Sequence, residues 1–169
     1  GNPYAAGYAD QLGLHYEAAF ARNDYVGRSF IDPGDRRSIV EMKLNPFVDV
    51  VRGKRVCIVD DSLVRGNTMP AIVDMMWDAG ATEVHVRIGS PPIVDTCHLG
   101  VDIPTREELI ANQKSLKEIR RHVKAHSLEY LSEAGMYRAF DREVEEVCAA
   151  CMRGDTPFEG ARPLDPNSR

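Results

Sequence analysis

The chain has 169 residues, of which 43% are hydrophobic and 28% charged, with a formal net charge of -5. That length suits one domain with a sizeable core, and the acidic balance removes the general electrostatic reason to expect a nucleic-acid partner. No segment has the apolar length of a membrane span and no charged-then-apolar leader is present, so a soluble cytoplasmic protein with no membrane partner is expected. Four cysteines in a chain this long do not make a disulfide scaffold and draw attention to metal or redox chemistry instead.

In chain order, Gly1-Asn2-Pro3 leads straight into Tyr4 to Leu12, a short helix-like pattern with no strand before it. Because Gly1 is not an initiator Met, the chain is read as a fragment whose upstream strand and loop are missing. Residues 22–46 mix charges, glycines and prolines with weak periodicity, and a connection of that kind is usually functional or disordered. Tyr25, Arg28, Arg36, Arg37 and Lys43 suit a flexible loop that closes on a pyrophosphate; a solvated loop is the alternative.

Val56-Cys57-Ile58-Val59 then forms a continuous apolar run, which reads as a strand buried on both faces with Cys57 as core. Asp60 and Asp61 fall where that strand leaves the sheet, the edge at which open α/β sheets bind ligands. Ser62, Leu63, Val64, Arg65, Gly66, Asn67 and Thr68 follow as a loop rich in small and polar residues, and Pro70 suits the first turn of a helix. That helix should run from Pro70 to Ala79 with Ile72, Val73 and Met76 on its apolar face and Gly80 as its stop. Val84, Val86 and Ile88 alternate with His85 and Arg87 as a second strand, completing a βαβ unit with an expected right-handed crossover.

The last third carries helical signals. Thr105 with Glu108 and Ser115 with Glu118 read as successive capping boxes, with Pro104 setting the first start. Ile119, Val123, Leu128, Tyr130 and Leu131 supply apolar positions, and Met136 to Phe140 reads as one more helix. From Gly154 onward the composition suggests a loosely held tail. His15, His85, His98, His122 and His126 share no spacing, which favours surface or packing roles.

Carboxylates can accept from sugar hydroxyls and hold a hard cation such as Mg²⁺, while an N–H-rich loop at a helix start takes an anionic phosphate. The pairing describes a ribose 5-phosphate with a metal nearby. The string from Val56 to Thr68 resembles the signature of the type I phosphoribosyltransferases, which bind phosphoribosyl pyrophosphate (PRPP). Further blocks narrow the resemblance: Tyr25 to Ile31, Lys43 to Pro46, Ser90-Pro91-Pro92, Gly100 to Leu109 and Ser127 to Leu131 are together similar to the glutamine PRPP amidotransferase family.

That resemblance implies an α/β fold of the type I phosphoribosyltransferase kind, a mainly parallel sheet flanked by helices with a helical C-terminal part. It also implies an enzyme that moves ammonia from glutamine onto PRPP, giving 5-phosphoribosylamine and pyrophosphate at the first committed step of purine synthesis. Residues 1–140 would be the phosphoribosyltransferase domain, truncated at its start, with a flexible loop near 22–46 that includes Tyr25, Arg28 and Lys43. Residues 141–169 would be an extension, and the glutaminase domain would be absent, leaving the fragment itself inactive. Carried over, Asp60 and Asp61 match the PRPP and Mg²⁺ acids, and Ser62 through Thr68 match the 5-phosphate loop. Asn67 departs from the usual Thr, and Arg22-Asn23-Asp24 from the usual Lys-Asn-Arg. Purine nucleotides as feedback inhibitors and a homotetramer are implied as well.

Cys148 and Cys151 have the two-residue spacing that lets two thiolates face one metal, and Cys97 follows the second strand. The chemistry alone fits zinc, a dithiol switch or an iron-sulfur cluster. The resemblance raises the last, because one branch of the family carries a [4Fe-4S] cluster and Cys97, Cys148 and Cys151 match three of its four ligands. Two other classes stay open: a PRPP-sensing module without turnover and a domain that keeps the fold but binds nothing. Among enzymes, a salvage phosphoribosyltransferase is the runner-up.

Overall fold

A computed structural model describes residues 1–23, 42–97, 99, 101, 103, 105–142 and 146–155. Helix α1 (Asn2–Leu12) comes first and stops at Gly13 in the left-handed conformation, with φ 63°. Strands β1 (Phe20–Arg22) and β2 (Leu44–Pro46) pair antiparallel as a two-stranded ribbon. Lys43, half-buried at the foot of that ribbon, accepts the Asn23 N–H on its carbonyl at 2.8 Å. Tyr25, Arg28, Arg36 and Arg37 lie outside the described residues.

The short helix α2 (Val48–Val51) leads into β3 (Arg55–Asp60), α3 (Met69–Asp78) and β4 (Glu83–Ile88). A 3-10 turn at Arg106–Glu108, α4 (Ile110–Gln113), α5 (Leu116–His122), β5 (Ser127–Tyr130), α6 (Glu133–Phe140) and α7 (Ala150–Arg153) follow. Strands β3, β4 and β5 form one parallel sheet in that order, so the βαβ expectation holds. Helix α3 begins and ends within a residue of the expected span, and Gly80, with φ 89°, follows its C-cap.

Three expectations need correction. Residues 127–130 form a strand, because Leu128 pairs with Val86 in the centre of the sheet and is buried there. The Thr105–Glu108 box makes only a 3-10 turn without a side-chain cap, since the Glu108 carboxylate accepts from Arg65 instead. The box at Ser115 does form: the Glu118 carboxylate accepts from the Ser115 N–H at 2.8 Å and from its hydroxyl at 2.7 Å. Those bonds from Ser115 hold Glu118 below the usual carboxylate range.

The third correction concerns β3. No residue of this strand is fully buried: it lies at one edge of the described sheet, and only Val56 and Ile58 pack against the main core. Cys57 falls on the other side of the pleat and is exposed, not core. The core itself lies between the sheet and helices α3 and α5, around Val73, Met76, Val84, Val86, Ile119 and Val123. Val84, Val86 and Ile88 are all buried, as their alternation implied.

The turn after α5 is fastened to α3. Lys124, a non-glycine residue at φ 59°, donates to both carboxylate oxygens of Asp74 at 2.8 and 2.7 Å, and its carbonyl accepts from the Trp77 indole at 3.1 Å. The His126 N–H then donates to the Val84 carbonyl at 2.7 Å, delivering the chain into register as β5.

Candidate active site

Asp60 ends β3 and Asp61 is the first residue beyond it, so both carboxylates stand at the carboxyl edge of the parallel sheet. The Gly89 N–H donates to the Asp60 carbonyl at 2.8 Å, which fixes the strand end against the end of β4. The Asp61 N–H donates to Asp60 Oδ1 at 3.0 Å, and the Gly1 nitrogen lies 3.2 Å from Asp61 Oδ1. The two acids differ electrostatically. Burial pushes the Asp60 carboxyl up, and the neighbouring Asp61 adds to this. Asp61 is the more open of the two and stands exposed beyond the strand end.

The loop from Ser62 to Thr68 is buried at both ends and braced in the middle. Leu63 and Met69 are buried in the main core, while Arg65, Asn67 and Thr68 are exposed. Three outside contacts shape it: the Ile110 N–H donates to the Val64 carbonyl at 2.9 Å, Arg65 Nε donates to Glu108 at 2.7 Å, and His122 Nε2 donates to the Gly66 carbonyl at 3.2 Å. Gly66 itself is at φ 69°, and a Cβ there would fall 2.3 Å from Ile110 Cδ1. The left-handed backbone favours glycine at this position, and any Cβ would also have to displace the end of the Ile110 side chain.

Asp60, the loop and Met69 line one cavity of about 330 Å³. No side chain caps the start of α3, and Pro70 in its first turn has no N–H to satisfy. An uncapped helix start with small loop residues before it is a receptor for an anionic oxygen group. The cavity therefore brings the Asp60 carboxylate to one side of an anion-accepting loop, with Asp61 next to it in the chain but outside the lining. Every expected loop residue from Ser62 to Thr68 lines it, together with Asp60.

The thiols form a separate site. The Cys151 carbonyl accepts the N–H groups of Val94 and Asp95 at 2.8 and 2.9 Å, so the turn bearing Cys148 and Cys151 lies against the loop bearing Cys97. The Leu99 N–H donates to Cys97 Sγ at 3.3 Å. Burial pushes the Cys151 thiol up, and the nearby Cys97 and Cys148 add to the effect. Among the described residues, no three His, Cys, Asp or Glu side chains converge on a point that would hold a single metal ion.

Several contributors were not visible in the sequence. Glu108 and His122, which hold the phosphate-type loop, come from segments more than forty residues away. Glu108 was assigned instead to a capping box, and only a paired-charge pattern between Arg65 and the Arg106-Glu107-Glu108 run could have linked it to the loop.

No protein-family model matches the chain. Amidophosphoribosyltransferases do: that of Synechococcus elongatus is 45% identical over 160 residues, covering 94% of this chain and 32% of its own length. That of Pyrococcus horikoshii is 48% identical over 157 residues, covering 93% of this chain and 34% of its own. The structure described as glutamine PRPP amidotransferase from B. subtilis complexed with ADP and GMP superposes with a TM-score of 0.79 at 42% identity, over 94% of this chain and 37% of that one. The chain thus spans about a third of the length of the curated relatives it matches. Over that third it is a homologue of the amidophosphoribosyltransferases, with the α/β fold of their phosphoribosyltransferase part.

Proposed function

We propose that this chain is the PRPP-binding part of an amidophosphoribosyltransferase, which uses ammonia derived from glutamine to convert PRPP into 5-phosphoribosylamine and pyrophosphate in purine synthesis. The observation that carries the reading is the single cavity in which Asp60 and the uncapped start of α3 face the same space. Homology over nearly the whole chain supports it.

In this reading the loop from Ser62 to Thr68 binds the 5-phosphate through backbone N–H groups, which makes Asn67 tolerable where Thr is usual. Asp60 and Asp61 accept from the ribose hydroxyls and hold Mg²⁺. Two carboxylates suit this ion, which takes one or two such ligands and completes its shell with water and substrate oxygens. When bound, Mg²⁺ would neutralise the departing pyrophosphate. Burial raises the Asp60 carboxyl above its ordinary range, and a bound cation would offset that by favouring the ionised form. Neither is assigned as a general base, because displacement at the anomeric carbon through a loose transition state asks for orientation and charge, not proton removal from the sugar. The stretch with Tyr25, Arg28 and Lys43 would cover bound PRPP and exclude water that competes with ammonia.

Cys97, Cys148 and Cys151 would hold a [4Fe-4S] cluster with a fourth ligand from outside the described residues. The Cys151 turn is hydrogen-bonded to the loop of Cys97, so the three thiols come from two segments that pack together, and thiolates are the usual ligands of such clusters. When bound, such a cluster would cross-link the two segments. A homo-oligomer, tetrameric by resemblance, a cytoplasmic location and inhibition by purine nucleotides complete the proposal; a relative's structure holds ADP and GMP.

The test is calorimetric titration of the intact protein with PRPP and Mg²⁺. Asp60→Asn and Asp61→Asn should each lose about 1.5–3 kcal/mol, roughly ten- to a hundredfold in affinity. Unchanged affinity in both variants overturns the assignment. Tight binding without phosphoribosylamine formation from either ammonia or glutamine would favour a PRPP sensor.

A further inference from the structure

The thiol site is held from two directions. On one side, the two N–H bonds from Val94 and Asp95 to the Cys151 carbonyl tie α7 to the loop of Cys97. On the other, Arg153, two residues past Cys151, reaches α6. Its guanidinium donates to the Glu133 carboxylate and, at 2.8 Å, to the Tyr137 hydroxyl. The same group lies 5.7 Å from the Tyr137 ring centroid, and the Tyr137 hydroxyl donates to Glu133 at 3.1 Å. Glu133 and Tyr137 are four residues apart and share one face of α6.

This network has no part in the PRPP cavity, whose lining lies elsewhere in the fold. Its geometry matters because α7 has only four residues, ending at Gly154 with φ 76°. A helix that short has little stability of its own, so its position is set by what its side chains and carbonyls touch. Apolar contact supplies part of the hold, through Met136, Tyr137 and Ala149 packed with Val147 and Met152. The forked guanidinium supplies direction, since a planar donor that engages a carboxylate and a hydroxyl together fixes an angle that apolar packing leaves loose.

We propose that Arg153, engaged by Glu133 and Tyr137, is a positioning residue for the thiol site, pinning the turn of Cys148 and Cys151 in register with Cys97. The inference rests on the cluster reading only for what the thiols hold; the placement of the thiols is testable without metal. Reduced, metal-free intact protein carrying Arg153→Gln, Arg153→Lys or Tyr137→Phe is alkylated with iodoacetamide, and each cysteine is followed by peptide mass spectrometry. Cys57, on β3 and outside this network, is the internal reference. A separate, unalkylated portion of each protein is given equal amounts of ferrous and ferric iron with sulfide, anaerobically, and loss of the charge-transfer absorbance to a chelator is timed.

Arg153→Gln should raise alkylation of the partly buried Cys151 relative to Cys57 by about fivefold, the scale of a partly exposed ion-pair network. Arg153→Lys should restore part of the protection, Tyr137→Phe should show a smaller rise, and chelator-driven loss should follow the same order while the melting temperature stays put. Identical relative alkylation in all proteins overturns the positioning role. Altered alkylation with no iron uptake in any protein supports positioning and removes the cluster reading instead. Should Arg153→Gln fail to fold, Tyr137→Phe, which deletes one hydroxyl, decides the matter: an unchanged profile there overturns the proposal.

Discussion

The acid-and-loop site and the thiol site are built in opposite ways. Asp60 through Met69 is one uninterrupted segment between a strand terminus and a helix start, so its candidate ligands are contiguous even though Ile110, Glu108 and His122 brace it from outside. The thiol site joins residues 94–97 to residues 148–153 across more than fifty positions, and its contacts run through backbone carbonyls and an arginine fork. A contiguous site declares itself in sequence through residue types; an assembled one shows only its ligands, and its supports come from elements that carry no signal of their own.

The contrast can be broken first at Gly66. If the loop is locally determined, Gly66→Val must force a β-branched residue into φ 69° with its Cβ 2.3 Å from Ile110 Cδ1. The expected cost is about 2–3 kcal/mol of stability, from left-handed strain and overpacking together. Denaturant unfolding reads it, and PRPP binding should be lost alongside. A valine variant of undiminished stability would mean that the loop rearranges freely and is not fixed by its glycine.

On the assembled side, Asn112 is the sharper probe. Its side-chain amide donates to the Val94 carbonyl at 2.8 Å and to the Arg106 carbonyl at 3.0 Å, bracing the start of the Cys97 loop from an exposed position on α4. Asn112→Ala should cost about 1 kcal/mol, since exposed hydrogen bonds contribute little net. Faster alkylation of Cys97, with PRPP affinity within about twofold of the parent, is the expected separation of the two sites. Weaker PRPP binding comparable to the change at Cys97 would show that they form one cooperative unit.

These probes also show why legibility was uneven. The run into Asp60-Asp61, the loop and α3 were readable because apolar continuity, paired acids and a first-turn proline each act within a few residues. Strand β5 was not: Ser127-Leu128-Glu129-Tyr130 is a single short alternation amid helix signals, and its pairing with β4 is what makes it a strand. The exposure of Cys57 depends on where β3 sits in the sheet, a property of topology that no window of sequence contains. The Thr105 box failed for a related reason. The Ile110 N–H and the Glu108 carboxylate are drawn to Val64 and Arg65, so long-range bonds displace a local helix start.

The smallest expected effect tests whether the acid pair is arranged for binding at the expense of the fold. Asp60 is the partly buried member, and burial first, then its neighbour Asp61, raises its folded pKa above the ordinary carboxylate value. A group raised in this way contributes stability that is fully present below its unfolded pKa and is lost as pH rises through the folded one. At neutral pH the cost of keeping Asp60 ionised is therefore fully imposed. Asp60→Asn removes the charge while an amide oxygen can still accept the Asp61 N–H that Asp60 Oδ1 receives at 3.0 Å. The variant should thus melt slightly higher than the parent at pH 7, by no more than about 1 kcal/mol in a site this open to solvent. The gap should close as the pH falls below the ordinary carboxylate range, where both forms are neutral. A variant that melts lower at neutral pH, or a gap that persists in acid, would mean that Asp60 stabilises the fold, and the contrast between a binding acid and its scaffold would have to be redrawn.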